Sequence, residues 1–369
     1  MPKRVLYTIN NLNTAGMKLV VADLVRHLDR SRFIPMVAVN SKTGSPLERE
    51  LEEICEVVQI PLRIPRRPRF AFPFNVLRTV KQLRGIADIA HSFDYASDWT
   101  EGLAMKLAGI PWVMVKTNLF WDERKWWLKC AFAHKIVCLS CAQVQVMKRW
   151  AHKITVIPTG VEIEKFQSAK PACREQYGLN NDDIILVSVA HLVPVKGHPD
   201  LINAFAIVKD ELPNLKLLLI GDGEPDYVQE LKNLVKHLGL QGRVIFGGKS
   251  DNVPSILKMC DGKVLATRNE GRREAFGAAL VEAMAAGLPV IATRSGGPEE
   301  IVVNGETGWL VDAGKPEALA EAIRDFYNNP YKRRRFGQAG FHRAQKFYDV
   351  NLMVRRYEAL YAEILKLKK

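Results

Sequence analysis

The stretch KVLATRNEGRREAFGAALVEAMAAGLPVIAT, residues 263–293, decides how the chain is read. It opens with a short apolar run, Lys263–Ala266, that suits a strand covered on both faces. A polar loop follows, Thr267–Glu274, and then a run of strong helix formers beginning near Gly277. A second apolar run, Pro289–Ala292, comes after Gly287. Strand, loop, helix and strand in this order make a parallel β-α-β unit.

The same alternation extends in both directions. Further strand-like runs are Val5–Ile9, Ile34–Val39, Ile86–Ala90, Trp112–Val115 and Lys135–Leu139, then Ile184–Val189, Leu215–Ile220 and Arg243–Phe246. Amphipathic patterns such as Lys18–Leu28, Thr100–Leu107, Pro199–Lys209 and Val228–Leu238 fall between them. The expected fold class is doubly wound α/β. The alternation loosens at PTGVEIEK, Pro158–Lys165, which places a domain boundary there. Two Rossmann-like halves result, 1–165 and 166–349. A long basic helix, Asn351 to Leu367, ends the chain. Its pattern does not say which half it packs on; a return of residues 350–369 to the first half is the expectation.

A chain of 369 residues with 47% hydrophobic and 25% charged residues is ordinary for a globular protein of two domains. No apolar run approaches the roughly 18–20 residues of a membrane span. The N-terminus MPKRVLYTIN turns polar too early for a secretory signal, so a cytoplasmic location is expected. Six cysteines are scattered, and the one C-x-x-C pair, Cys138 and Cys141, lacks a second pair to complete a zinc site. The net charge of +13 is uneven: residues 1–150 carry 23 Lys and Arg against 13 Asp and Glu. The first half is therefore expected to face something anionic. Its clearest interface candidate is RIPRRPRFAFPF, Arg63–Phe74, with four arginines among three phenylalanines. That composition suits docking on an anionic membrane surface, with Phe120–Trp127 as further anchors. A solvated loop with its aromatics folded inward fits equally. No nucleic-acid motif accompanies the charge.

The chemistry centres on Glu274 and Glu282, eight residues apart around the start of a helix. A helix N-terminus offers free N–H groups to an anion, and Gly277 lets one come close. Two carboxylates flanking an anion site fit a sugar–diphosphate–ribose ligand. They also fit a dipole-complementing Glu274 and a solvent-facing Glu282. Lys196, in the loop after Ile184–Val189, can neutralise a diphosphate, and so can a surface lysine anywhere. His191 lies in the same loop. Gly248-Lys249-Ser250 mimics a phosphate loop, but Arg243 stands where a Walker motif needs glycine. No G-x-G-x-x-G fingerprint is present.

Taken together, these segments resemble the retaining GT-B glycosyltransferases of glycosyltransferase family 4. The similarity runs through Val156–Val161, Val187–Gly197, Leu219–Gly223, Arg243–Val253, Glu274–Thr293, Gly296–Ile301 and Asn304–Gly308. The resemblance implies two Rossmann-like domains facing across a cleft and a nucleotide-sugar donor, a UDP-sugar before a GDP-sugar. It implies that Glu274 sits by the donor sugar and, with Lys196 on the phosphates, carries catalysis. It assigns Glu282 to the ribose, Phe276, Gly277 and Leu280 to the diphosphate and nucleoside, and the loop with Lys249 and Val253 to the base. His191 stands where the family usually has arginine. In the first half, Asn10–Gly16 is similar to the family's glycine-rich loop; Ala15 replaces its first glycine and Gly16 keeps the second. His91 and Asn118, at two strand ends, are candidates for the acceptor side, although relatives carry a histidine near Asn118 and this chain does not.

With no Asp-x-Asp motif, no metal and no cofactor are expected. The implied reaction is transfer, with retention, to a hydroxyl of a lipid-linked or cell-surface glycan precursor, at the inner face of the cytoplasmic membrane. A catalytically idle nucleotide-sugar-binding subunit and a nucleotide-sugar epimerase are the alternatives.

Overall fold

The computed structural model describes residues 1–13, 16–270 and 273–366. Ala15, Gly271 and Arg272, named in or spanned by the loops above, lie outside the described residues, as do the last three residues. The chain divides into two units, Met1–Gly160 with residues 350–366, and Val161–Asp349.

The first unit is a parallel sheet of seven strands: β1 (Lys3–Ile9), β2 (Phe33–Val39), β3 (Glu56–Gln59), β4 (Ile89–Ser92), β5 (Trp112–Lys116), β6 (Lys135–Cys138) and β7 (Ile154–Val156). Their spatial order is β3-β2-β1-β4-β5-β6-β7. The second unit holds β8 (Ile184–Val189), β9 (Leu215–Ile220), β10 (Val244–Gly248), β11 (Gly262–Leu265), β12 (Val290–Arg294) and β13 (Gly308–Asp312), ordered β10-β9-β8-β11-β12-β13. Every adjacent pair in both sheets is parallel. The inner strands are continuous apolar runs because helices cover both of their faces. Each sheet reverses its winding once, between β1 and β4 and between β8 and β11. The carboxyl ends at such a switch point form the natural ligand crevice of the fold.

β3, β7 and β13 are absent from the sequence reading, and all three are sheet edges. β3 and β7 have four and three residues with none fully buried, so their apolar signal is weak, whereas the fourth edge, β10, is legible as Arg243–Phe246. The unit boundary falls after Gly160, inside the Pro/Gly stretch, and residues 163–165 belong to a short helix, Ile163–Gln167, of the second unit. The helix Val350–Ile364 returns to the first unit. Its Glu358 carboxylate accepts from the Asp29 amide (2.8 Å), and Met353 Sδ lies 3.1 Å from the Gly160 amide.

Candidate functional site

At the switch point of the second sheet, the loop after β8 carries Lys196 and the loop after β11 carries Glu274. Backbone packing holds both. Gly197 follows Lys196 with φ of +67°, and a Cβ there would meet the Ala266 carbonyl oxygen at 2.0 Å. The Arg268 amide donates to the Val195 carbonyl (2.9 Å), and its guanidinium grips Asp200 with two bonds of 2.7 Å. On the other side Glu274 bridges to Gly296, and the Gly297 amide donates to the Glu274 carbonyl (2.9 Å). A Cβ on Gly297 would strike the Phe276 backbone at 2.4 Å. Glycine at 197 and 297 is thus what lets the two loops approach.

The outcome is an ion pair. Lys196 Nζ lies 2.5 Å from Glu274 Oε2, with side chains 24% and 16% exposed. The Thr267 hydroxyl donates to the same carboxylate oxygen (3.3 Å). An ammonium has three donors, so Lys196 keeps two for a ligand. Gly277, at φ of +99°, caps the helix Ala278–Ala285. Ala278 and Ala279, in its first turn, are partly exposed, and first-turn amides have no acceptor within their own helix, which suits them to an anion.

Glu282, on that helix, is half-buried; its backbone carbonyl accepts from the Ala286 amide (3.0 Å), while its carboxylate makes no hydrogen bond among the described residues. Desolvation pushes its carboxyl above the usual range, against the pull of the Lys263 and Lys165 ammonium groups. Lys263 is fully buried, and its only signal in the sequence is a lysine within an apolar strand. Burial lowers its ammonium to about 8, with Glu282 the main opposing influence.

The remaining candidates divide. Phe276 and Leu280 are core residues: Phe276 stacks edge-on against Tyr348, and Leu280 is fully buried. The Leu280 amide is also used, donating to the Gly277 carbonyl (2.8 Å). Both side chains are buried and anchor the start of the helix. His191 is exposed, and its Nδ1 lies 2.8 Å from the Asp222 carboxylate. Gly221 brings the Asp222 loop against this one, since a Cβ on it would meet the Ala190 carbonyl oxygen at 2.0 Å. Lys249 is exposed, and Val253 is half-buried at the start of the helix Val253–Met259. Gly16, in the first unit, caps the helix Met17–His27 at φ of +53°.

His91, the acceptor-side candidate at the end of β4, has no exposed surface. It is fully buried, its Nδ1 2.6 Å from the Tyr361 hydroxyl, among Tyr7, Phe93 and Tyr357. Burial drops its pKa to about 3, so it is a neutral core residue that ties the C-terminal helix to β4. Asn118 is half-buried; its Oδ1 accepts from the buried Lys116 ammonium (2.5 Å), which also lies 4.2 Å from the Trp126 ring centroid. Cys138 is a core thiol, pushed up to about 12 by burial.

The loop Arg63–Phe74 is divided too. Arg63 grips Asp94 (2.8 and 2.5 Å), and Phe72 packs edge-on against Trp99. Phe70 and Phe74 point outward, 77% and 72% exposed, with Leu77 at 63%. Among the described residues no helix is long and apolar enough to cross a membrane.

Comparison with known proteins fits this geometry. Residues 14–165 match the model described as Glycosyltransferase Family 4, and residues 169–343 the one described as Glycosyl transferases group 1. N-acetyl-alpha-D-glucosaminyl L-malate synthase of Bacillus anthracis is 34% identical over 193 residues, 52% of this chain and 49% of that protein. The capsular polysaccharide biosynthesis glycosyltransferase CapM of Staphylococcus aureus is 31% identical over 249 residues, 63% and 60% of the two chains. The chain spans about half the length of the curated relatives it matches. Among solved structures, Anabaena Alr3699/HepE in complex with UDP and glucose has a TM-score of 0.84 at 22% identity, covering 98% of this chain and 100% of that one. A glycosyltransferase from Rickettsia africae ESF-5 has a TM-score of 0.85 at 23% identity, covering both chains fully. At such identities the likeness is one of fold, two parallel-sheet Rossmann-like domains as in GT-B glycosyltransferases. Matched in consecutive halves by two glycosyltransferase models, the chain belongs to glycosyltransferase family 4, its second half a glycosyl transferases group 1 domain.

Proposed function

We propose that the protein is a retaining glycosyltransferase that moves a sugar from a nucleotide-sugar donor to an acceptor hydroxyl. The observation that carries this reading is the Lys196–Glu274 pair at the switch point, beside the N-terminus of the helix that bears Glu282. The spare donors of Lys196 and the amides of Ala278 and Ala279 stabilise the charge that builds on the departing diphosphate. Glu274 accepts from hydroxyls of the sugar and Glu282 from those of the ribose. The bond from the anomeric carbon to the diphosphate oxygen breaks, and one to the acceptor oxygen forms on the same face. The acceptor's proton leaves with the phosphate oxygen. The charge is met by protein donors, so the reaction proceeds without a metal.

The donor is a UDP-sugar in the first instance, in line with the UDP held by the Anabaena neighbour, with GDP-sugars as the alternative. The acceptor is a lipid-linked or cell-surface glycan precursor, as the capsular naming of CapM supports. Docking on the anionic inner leaflet completes the reading. Phe70, Phe74 and Leu77 recur at helical spacing on the turn Arg69–Ala71 and the helix Phe72–Leu83. The exposed Arg66, Arg67, Arg69, Arg78 and Lys81 surround them. An apolar stripe ringed by cations fits a headgroup layer.

The test is turnover with a panel of UDP- and GDP-sugars, with and without EDTA, beside Lys196→Ala and Glu282→Ala. One donor should be hydrolysed slowly or transferred in EDTA, releasing the donor's own anomer by NMR, and both substitutions should impair this. An inverted product contradicts retention. Loss of turnover in EDTA contradicts a metal-free route. A donor that binds and never reacts, with any acceptor offered, contradicts the transferase reading.

A further inference from the structure

Lys263 sits inside an apolar strand, and the geometry around it is specific. Its neighbours Gly262 and Val264 face one side of the sheet, where a Cβ on Gly262 would meet the Phe326 ring at 2.4 Å and Val264 shares a core with Phe326. Side chains alternate along a strand, so Lys263 points to the opposite face. That is the face covered by the helix Ala278–Ala285, which packs on β11. The Lys263 side chain runs toward the carboxyl edge of the sheet and reaches the Val189 carbonyl at the end of β8 (3.4 Å). One long bond leaves the other two N–H donors of a fully buried ammonium without a partner among the described residues.

The charged and titratable groups that act on it come from every neighbouring segment: Glu282 on the covering helix, Lys196 and Glu274 on the two loops, and Cys260 just ahead of its own strand. Cys260 is neutral, its thiol pushed up to about 12 by burial. The Glu274 charge is already paired with Lys196. The Glu282 carboxylate has no hydrogen-bond partner among the described residues, and two ammonium groups act favourably on it, Lys263 first and then Lys165 from the short helix Ile163–Gln167 that packs on the covering helix.

We propose that Lys263 is a positioning residue for Glu282: its buried ammonium keeps that carboxylate ionised and aimed at a vicinal diol of the donor, and adds a second cation beneath the diphosphate. The inference rests on the donor-site reading above. It gives the site a pH range. Glu282 must be ionised, which Lys263 secures against desolvation on the acid side. Lys263 must be protonated, which fails as pH rises through about 8.

Two experiments separate this role from mere packing. The first needs no donor: urea unfolding of wild type, Lys263→Met, Glu282→Gln and the double variant. Glu282→Gln should destabilise the wild type and be neutral or stabilising in the Lys263→Met background; equal effects in both backgrounds overturn the pairing. The second is titration with UDP and with GDP from pH 5.5 to 9.5. In the wild type, affinity for whichever nucleotide binds should fall as pH rises through about 8. In Lys263→Met it should be about tenfold weaker at pH 7, for roughly one pKa unit of lost charge interaction. Its alkaline fall should vanish and its acid-side fall should move to higher pH. A Lys263→Met profile that parallels the wild type overturns the inference while leaving the donor site intact. If the wild type binds neither nucleotide, the donor reading fails and takes this role with it, and the unfolding cycle still reports whether the two side chains interact.

Discussion

Replacing Gly197 by alanine displaces Lys196 without touching its ammonium. Gly197 occupies the left-handed region at φ of +67°, and its missing Cβ would lie 2.0 Å from the Ala266 carbonyl oxygen. Ordinary Cβ contacts begin near 3.4 Å, so the loop must retreat from the end of β11 by about 1.4 Å. The left-handed backbone costs an alanine about 1–2 kcal/mol. Relieving the overlap in a packed site adds about 1–3 kcal/mol. The sum, about 2–5 kcal/mol, is a large share of the roughly 5–15 kcal/mol that holds a typical protein folded. A displacement of this size also breaks the 2.5 Å contact of Lys196 with Glu274. Misplacing a catalytic group by about 1 Å can lower turnover by about 100-fold. Urea unfolding and kcat/KM for the donor read out both effects. Gly242→Ala is the control: it has the same backbone hand, φ of +72°, and nothing within 4 Å of its Cβ position. It should lose only the backbone cost, about 1–2 kcal/mol, and keep full activity. If Gly197→Ala matches Gly242→Ala in stability and in kcat/KM, the account of how Lys196 is placed is wrong.

Three further outcomes follow from the same structure. His91→Phe should remove a share of the acid sensitivity of the first unit, because a histidine held neutral to about pH 3 is protonated earlier in the unfolded chain. Stability then falls as pH drops below about 6.5, by at most about 1.4 kcal/mol per pH unit, and acid titration of the unfolding midpoint in the two proteins measures the difference. For Lys263, lowered to about 8, the unfolded state holds more protons at alkaline pH. Wild-type stability without ligand should gain a rising contribution between about pH 8 and 10, and Lys263→Met should lack it in the same unfolding series. Phe70→Ser with Phe74→Ser should weaken sedimentation with phosphatidylserine vesicles at least about tenfold, since burying even part of each ring is worth more than about 1 kcal/mol. Unchanged sedimentation would remove those side chains from any membrane contact.

Much of the second unit is legible in the sequence because its inner strands are long apolar runs. β8 and β9 coincide with the runs read from sequence, and Gly277 marks the helix start. The edges β3 and β7 are not legible because they are short and at most partly buried; β13 is buried over Gly308–Leu310 and is too short a run to stand out. The pairing of Lys196 with Glu274 joins residues 78 positions apart, and no local pattern encodes it. Phe276 and Leu280 illustrate a different limit. A motif marks the position of a residue, but whether its side chain or its amide faces outward depends on the packing beneath, and here Tyr348 and the sheet take the side chains. His91 reads the same as an exposed strand-end histidine until the helix Val350–Ile364 is seen to cover it. Lys263 was hidden by its setting, because one polar letter in an apolar run does not reveal what lies across from it.

The central claim is that the Lys196, Glu274, Gly277 and Glu282 constellation holds a nucleotide sugar. Isothermal titration of the wild type with UDP and with GDP, beside Lys196→Ala and Glu282→Ala, tests it most directly. The account predicts saturable binding of one nucleotide without added metal, weakened about tenfold or more by each substitution while both variants stay folded. Binding that both substitutions leave unchanged, or no binding of either nucleotide, would contradict it.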